Sequence, residues 1–310
     1  MNRISNILVF VDPTSDEHPA VTKGALLAER FNARLELFLC DTRASREARL
    51  AAHMRARPSE PFLSNLKALL EPLADPIRAR GVGVTTEWTC ADPLHVALLE
   101  RTRKTTADLI IKDTHHHTLA QRTFLTNTDW HLIRGCPVPL LLTKSRPWAQ
   151  APRIVAAVDP GHVNDKPAML DRHILDHASE FSRSVSGELH VIHAYVPMTI
   201  VATTVLPPMI SPVTVEDIDR DRDARLKEVQ ALTLDYGVSA ERIHLEIGGP
   251  AEVLPRVAQT IQAGIVVMGA ISRTGMKRAF VGSTAEDVLE HLPCDALVVK
   301  SPDFAELLPF

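Results

Sequence analysis

Between Lys112 and Lys144, and again between Met268 and Lys300, the chain carries one segment twice, in register and without a gap. The landmarks Thr118/Thr274, Arg122/Arg278, Phe124/Phe280, Thr128/Thr284, Pro137/Pro293, Leu141/Leu297 and Lys144/Lys300 all lie 156 residues apart. That spacing is the size of a domain, so the 310 residues read as two copies of one fold, 1–147 and 152–310. The copies differ most at one loop. The second reads Gly269-Ala-Ile-Ser272, nine residues, then Gly282-Ser283-Thr284; the first reads Asp113-Thr-His-His116, nine residues, then Thr126-Asn127-Thr128. One ligand site retained and one converted is the simplest account.

The repeat extends outward from this loop. Each half opens with an apolar run ending in Asp-Pro, Ile7 to Pro13 and Ile154 to Pro160, followed by Pro-Ala and an amphipathic stretch to Phe31 or Phe181. In the second half Leu170, Ile174, Ala178 and Phe181 recur at helical spacing. Alternating runs follow, Arg34 to Cys40 and Glu188 to Tyr195. Then come the least similar parts: a helical pattern over Leu63, Leu66, Leu70, Leu73 and Ile77, which Pro72 and Pro76 should kink or end, and a charged helix from Val215 to Tyr236. Third strands (Gly83 to Trp88, Arg242 to Ile247), helices from Pro93 and Pro250, fourth strands (Leu109 to Lys112, Ile265 to Met268) and fifth strands (Leu140 to Lys144, Ala296 to Lys300) complete each half. Strands alternating with helices, the fourth and fifth apolar throughout, predict an α/β fold: two tandem doubly wound parallel sheets of five strands each. Ser145 to Pro152 reads as the linker.

Composition narrows the function. A net charge of −4 gives no footprint for nucleic acid, and no apolar run reaches the ~20 residues of a membrane span. The short run after Met1 is no signal peptide, and Cys40, Cys90, Cys136 and Cys294 are scattered without a CxxC, so reduced thiols in a cytoplasmic protein are expected.

In doubly wound sheets ligands bind beyond the carboxyl ends of the strands, where the strand order reverses. Asp159, after the first strand of the second half, and Gly269, after the fourth, should meet there. Gly282-Ser283-Thr284 opens a helix whose amides and dipole suit phosphate oxygens. A helix cap explains the same residues, and Ser283 with Glu286 forms a capping-box pattern. These features, with the Pro-x3-Leu-Val-Val-Lys ending, resemble universal stress proteins, and the double length resembles their tandem E-type members. The resemblance implies a Rossmann-like fold with strand order 3-2-1-4-5. It also implies ATP or a related adenine nucleotide, with Mg2+, on a Gly-x2-Gly-x9-Gly-Ser/Thr loop. By position Asp159 contacts adenine, Gly269 lines the ribose and phosphates, and Gly282, Ser283 and Thr284 hold the phosphates. Ser272 stands where the second glycine belongs, and Arg273 and Lys277 are further loop residues of suitable charge.

In the first half Asp113, His116 and Thr126 replace the glycines, and a carboxylate at a phosphate position repels an anion. His115 and His117, on one side of an extended segment, form a candidate Zn2+ chelate with Asp113 or His131 as third ligand; a solvated histidine loop is the plainer account. No nucleophile–base pair stands out, and the run from Glu216 to Asp223 reads as a solvated helix face. The expectation is a nucleotide-responsive protein acting in stress, regulatory or protective, rather than a fast enzyme. A slow ATPase, a nucleotidyl or phosphoryl transferase, and a ligand-free interaction scaffold are the alternatives. Two domains in one chain could form an internal pseudo-dimer, or a dimer of tandems, with protein partners unidentified.

Overall fold

The continuous apolar runs become central strands. The computed structural model describes residues 3–42, 60–116, 123–161, 169–197, 214–272, 280–301 and 304. Two compact units, Met1–Trp148 and Ala149–Pro309, divide the chain. The first runs β1 (Asn6–Val11), α1 (Pro19–Phe31), β2 (Arg34–Cys40), α2 (Glu60–Arg78), β3 (Val84–Thr89), α3 (Leu94–Thr105), β4 (Leu109–Asp113), β5 (His115–His116), β6 (Thr123–Phe124), α4 (Asn127–Gly135) and β7 (Leu140–Thr143). The second runs β8 (Arg153–Ala157), α5 (Leu170–Ser184), β9 (Glu188–Tyr195), α6 (Val215–Thr233), β10 (Ile243–Ile247), α7 (Pro250–Thr260), β11 (Ile265–Gly269), β12 (Ile271–Ser272), β13 (Phe280–Val281), α8 (Ser283–His291) and β14 (Asp295–Val299).

In the first unit β1 pairs in parallel with β2 and β4, β2 with β3, and β4 with β7. In the second β8 pairs in parallel with β9 and β11, β9 with β10, and β11 with β14. Parallel neighbours need long crossovers, and helices supply them. Each unit is an α/β fold of the Rossmann-like kind. Leu8, Val9, Ile110 and Ile111, like Ile154, Val155, Val266 and Val267, are buried, as strands covered on both faces must be. The first strand of each unit has its second strand on one side and its fourth on the other. That reversal opens the crevice at the strand ends.

Two local expectations change. Helix α2 continues past Pro72 and Pro76 instead of ending there. Both prolines are exposed and one turn apart, so the carbonyls that lose a helical partner face water instead of the core. The repeated loops also contain more order than expected, because a two-residue antiparallel pair forms in each: β5 with β6 and β12 with β13. His116 pairs with Thr123, and Ser272 with Phe280. The position of the second family glycine is thus extended strand in both copies, a conformation open to any residue. This accounts for the tolerance of Ser272.

Helix α1 lies so close to β1 that a Cβ on Gly24 would sit 2.6 Å from Val9 Cγ2. Alanine gains about 1 kcal/mol of helix propensity over glycine, whereas overpacking a core costs about 1–3 kcal/mol. Val9 is fully buried and β-branched, so its methyl has nowhere to turn. Gly24→Ala is therefore expected to lower stability by about 1 kcal/mol net in urea denaturation, against the gain an exposed helical glycine would show.

Candidate functional site

In the second unit the crevice residues come from β8, β11 and α8. Asp159 follows β8, its backbone N–H donating to Asp171 Oδ1 at 3.1 Å, so the buried first turn of α5 holds the aspartate in place. Gly282 reaches the same edge, donating its N–H to Ala270 O at 3.3 Å just beyond β11. It is the N-cap of α8 and provides no side-chain hydrogen bond to the helix. Ser283 and Thr284 are exposed first-turn residues, and Ser283 is not the N-cap of a Ser283–Glu286 capping box because the helix begins one residue earlier than that pattern requires. The first-turn amides are left without a cap from the N-cap side chain.

Gly269 has a different local use. A Cβ there would meet Leu170 Cδ2 at 2.9 Å, so the missing side chain makes room for the first turn of α5. Arg273 and Lys277 lie outside the described residues, as does the side chain of Ser272.

Sequence reasoning missed His193. It points from β9 toward Asp159, with Nδ1 3.8 Å from Asp159 Oδ1 and 3.1 Å from Val158 O. A carbonyl only accepts, so Nδ1 carries the proton of the neutral ring and Nε2 is an acceptor. Burial pushes the His193 pKa down, with Asp159 opposing, which keeps that neutral form at pH 7. Tyr195, two residues on and hence on the same face, stacks beside it at 5.9 Å between centroids. Arg225 of α6 passes so close to Gly161 that a Cβ at 161 would strike its guanidinium. The period-2 placement of His193 and Tyr195 was the available signal; the approach of Arg225 had none.

The first unit has filled the corresponding places with its own charges. Asp113 Oδ1 accepts from Ala20 N at 2.8 Å and from Thr143 Oγ1 at 2.6 Å. Its carboxylate caps α1 and ties it to β7 rather than standing in the loop. Burial raises the Asp113 pKa, while these two bonds hold it down. Asp113 against Ala20 at the start of α1 thus contrasts with Gly269 against Leu170 at the start of α5.

At α4 the difference is larger. Thr126 caps the helix in a reciprocal box: Asp129 N donates to Thr126 Oγ1 at 3.3 Å, and Asp129 Oδ2 accepts from Thr126 N at 2.7 Å. Asp129 Oδ1 lies 2.8 Å from Lys112 Nζ, with both side chains buried. Lys112 also donates to Asp113 O at 2.9 Å. Met268 and Ala285 occupy these positions in the second copy.

Each candidate third metal ligand makes a contact of its own. Asp113 is engaged as above, and His131 stacks on His95 at 4.0 Å with the rings 11° from parallel. His115 lies in β5 without a described side chain, and His117 lies outside the described residues. Among the described residues no group of three or more His, Cys, Asp or Glu is placed to hold a metal ion. Nor is any described helix long and apolar enough to cross a membrane.

The Universal stress protein family model matches this chain twice, over residues 3–144 and 152–300. The chain belongs to the universal stress protein family. Its tandem, E-type character follows from its relatives. Universal stress protein E of Escherichia coli is 30% identical over 98% of this chain and 96% of its own length. The Universal stress protein E homolog of Haemophilus influenzae is 24% identical over 96% and 98%. A crystal structure of a functionally unknown Pseudomonas aeruginosa protein superposes with a TM-score of 0.75 at 30% identity, covering 98% of this chain and 95% of that one. A universal stress protein from Archaeoglobus fulgidus, at 16% identity and a TM-score of 0.69, covers 96% of this chain and 99% of that one and shares the fold.

Two measurements test how this universal stress protein diverged between its halves. Removing one partner of a buried ion pair costs about 3–5 kcal/mol, because the other charge stays buried and unpaired. Lys112→Met alone should therefore lose about that much stability, and Lys112→Met/Asp129→Ala, the residues of the second copy, should recover most of it in guanidinium unfolding. Gly269→Asp should destabilise the second unit by its clash with Leu170. Adding Leu170→Ala should relieve it, with a coupling of about 1–3 kcal/mol in a double-mutant cycle.

Proposed function

We propose that the second half of this chain binds an adenine nucleotide, ATP or a close relative accompanied by Mg2+, and that the protein acts in stress as a nucleotide-responsive regulator or protector rather than a fast enzyme. The observation that carries this is the open N-terminus of α8. Gly282 leaves its first-turn amides without a side-chain cap, whereas Thr126 and Asp129 close the matching helix of the first half. An uncapped helix start with hydroxyls at Ser283 and Thr284 favours phosphate oxygens. Asp159, held at the same crevice by Asp171, is the acceptor for an exocyclic amine or ribose hydroxyl.

On this reading the modules are 1–147 and 152–310, each with principal strands in the order 3-2-1-4-5, a reading the pairings within each unit support. Ser272 lines the cradle from β12, Gly269 contributes close backbone, and Arg273 adds charge. A cytoplasmic setting fits four cysteines that form no disulfide. A regulatory response requires the nucleotide to bind two conformations with different affinity, since equal affinity shifts nothing.

Calorimetry with ATP and ADP on the intact chain and on Gly282→Arg tests the reading. Binding by the intact chain, lost by at least tenfold in the variant and without turnover over hours in Mg2+, is the expected result. Turnover would favour the slow ATPase or transferase, and an intact chain that takes up no nucleotide would leave only the interaction scaffold.

A further inference from the structure

The first half contains a cleft of about 280 Å³ at the ends of β1, β2 and β4, lined among others by Phe10, Asp12, Cys40, Leu94, Lys112 and Thr126. We propose that this cleft binds a phosphate-free ligand, a nucleoside-like ring presenting N–H and O–H donors, and excludes nucleotides.

Three observations combine. The first is that the place for phosphate is already filled. The start of α4 is capped by Thr126 and Asp129, and Lys112, the one ammonium among the described residues lining the cleft, is held by Asp129 at 2.8 Å and by Asp113 O at 2.9 Å. Neither the helix dipole nor the lysine is open to an incoming anion without breaking a buried pair, which costs about 3–5 kcal/mol.

The second is the charge of the remaining wall. Asp12 and Asp41 supply carboxylates, and Thr14, Thr126 and Thr128 supply hydroxyls. Two carboxylates repel phosphate and favour a ligand that donates hydrogen bonds. Asp12 follows β1 as Asp159 follows β8, and its Oδ1 accepts from Thr14 N at 2.8 Å and Thr14 Oγ1 at 2.6 Å, which fixes its orientation.

The third is size and polarity. Phe10 and Cys40 are buried apolar surface beside the cleft, and burial pushes the Cys40 thiol up to about 11, so it is a neutral wall group rather than a nucleophile. A volume just below the ~300 Å³ at which small-molecule pockets begin suits a ring system without a triphosphate tail. The conversion thus keeps the base end of a nucleotide site and shuts the phosphate end. The choice of a nucleoside-like ring rests on the reading of Asp159 in the second half; the exclusion of phosphate does not.

Calorimetry with adenosine and with ATP on Asp159→Ala/Gly282→Arg, in which the base and phosphate ends of the second site are both removed, reads the first site. Adenosine is expected to bind at least tenfold more tightly than ATP there, and adding Asp12→Ala should weaken adenosine by at least tenfold. Adding Lys112→Met/Asp129→Ala, or Thr126→Gly where that pair fails to fold, should raise the affinity for ATP at least tenfold. The proposal is overturned if adenosine gives no binding at millimolar concentration, if ATP binds as tightly as adenosine, or if Asp12→Ala leaves adenosine binding unchanged. An intact chain that ignores ATP yet binds adenosine through Asp12 would sink the second-half reading and support this one.

Discussion

Everything functional in this molecule depends on parallel pairing of one strand with two neighbours. β1 lies between β2 and β4, and β8 between β9 and β11. Because parallel neighbours are joined by helical crossovers, the chain must leave the first strand to one side and return on the other. The gap between those departures is where Asp12 and Thr126 lie in one unit and Asp159 and Gly282 in the other. The site's location is thus a consequence of backbone hydrogen bonding, whatever side chains later line it.

The two halves then differ most at the start of one helix. A helix N-terminus carries unpaired amides and a partial positive charge, and some acceptor must satisfy them. In the first half the acceptor is internal: Asp129, positioned by Thr126 and neutralised by Lys112. In the second half glycine at the cap supplies no side-chain acceptor. A second exchange accompanies the first. Asp113 holds α1 by hydrogen bonds, whereas Gly269 holds α5 by letting Leu170 pack against it. Each half solves the same junction, one with polar groups and one with apolar contact.

Much of this architecture was legible beforehand. The apolar runs around Leu8, Ile110, Val155 and Val266 are strands, and the helical spacing of Leu170, Ile174, Ala178 and Phe181 is a buried helix face. Periodicity reports burial, and burial is what these elements share. The misses are of another kind. Pro72 and Pro76 were read by their local chemistry, but the solvent on their face of α2 decides whether a lost hydrogen bond matters. The β5–β6 and β12–β13 pairs are too short for any pattern. His193 lay in an evident strand, and its period-2 placement with Tyr195 gave a shared face but not the approach to Asp159.

The sequence by itself determined the duplication, the α/β class and the asymmetry of the loops, because each is carried by residue type at fixed spacing. Only the tertiary structure decided which charges meet. Lys112 and Asp129 are 17 residues apart and unremarkable in a list, yet they are buried against each other because β4 and the start of α4 converge at the crevice. Contact across a fold is set by the path of the backbone, and in a low-dielectric interior that contact turns two ordinary residues into the pair that distinguishes one half from the other.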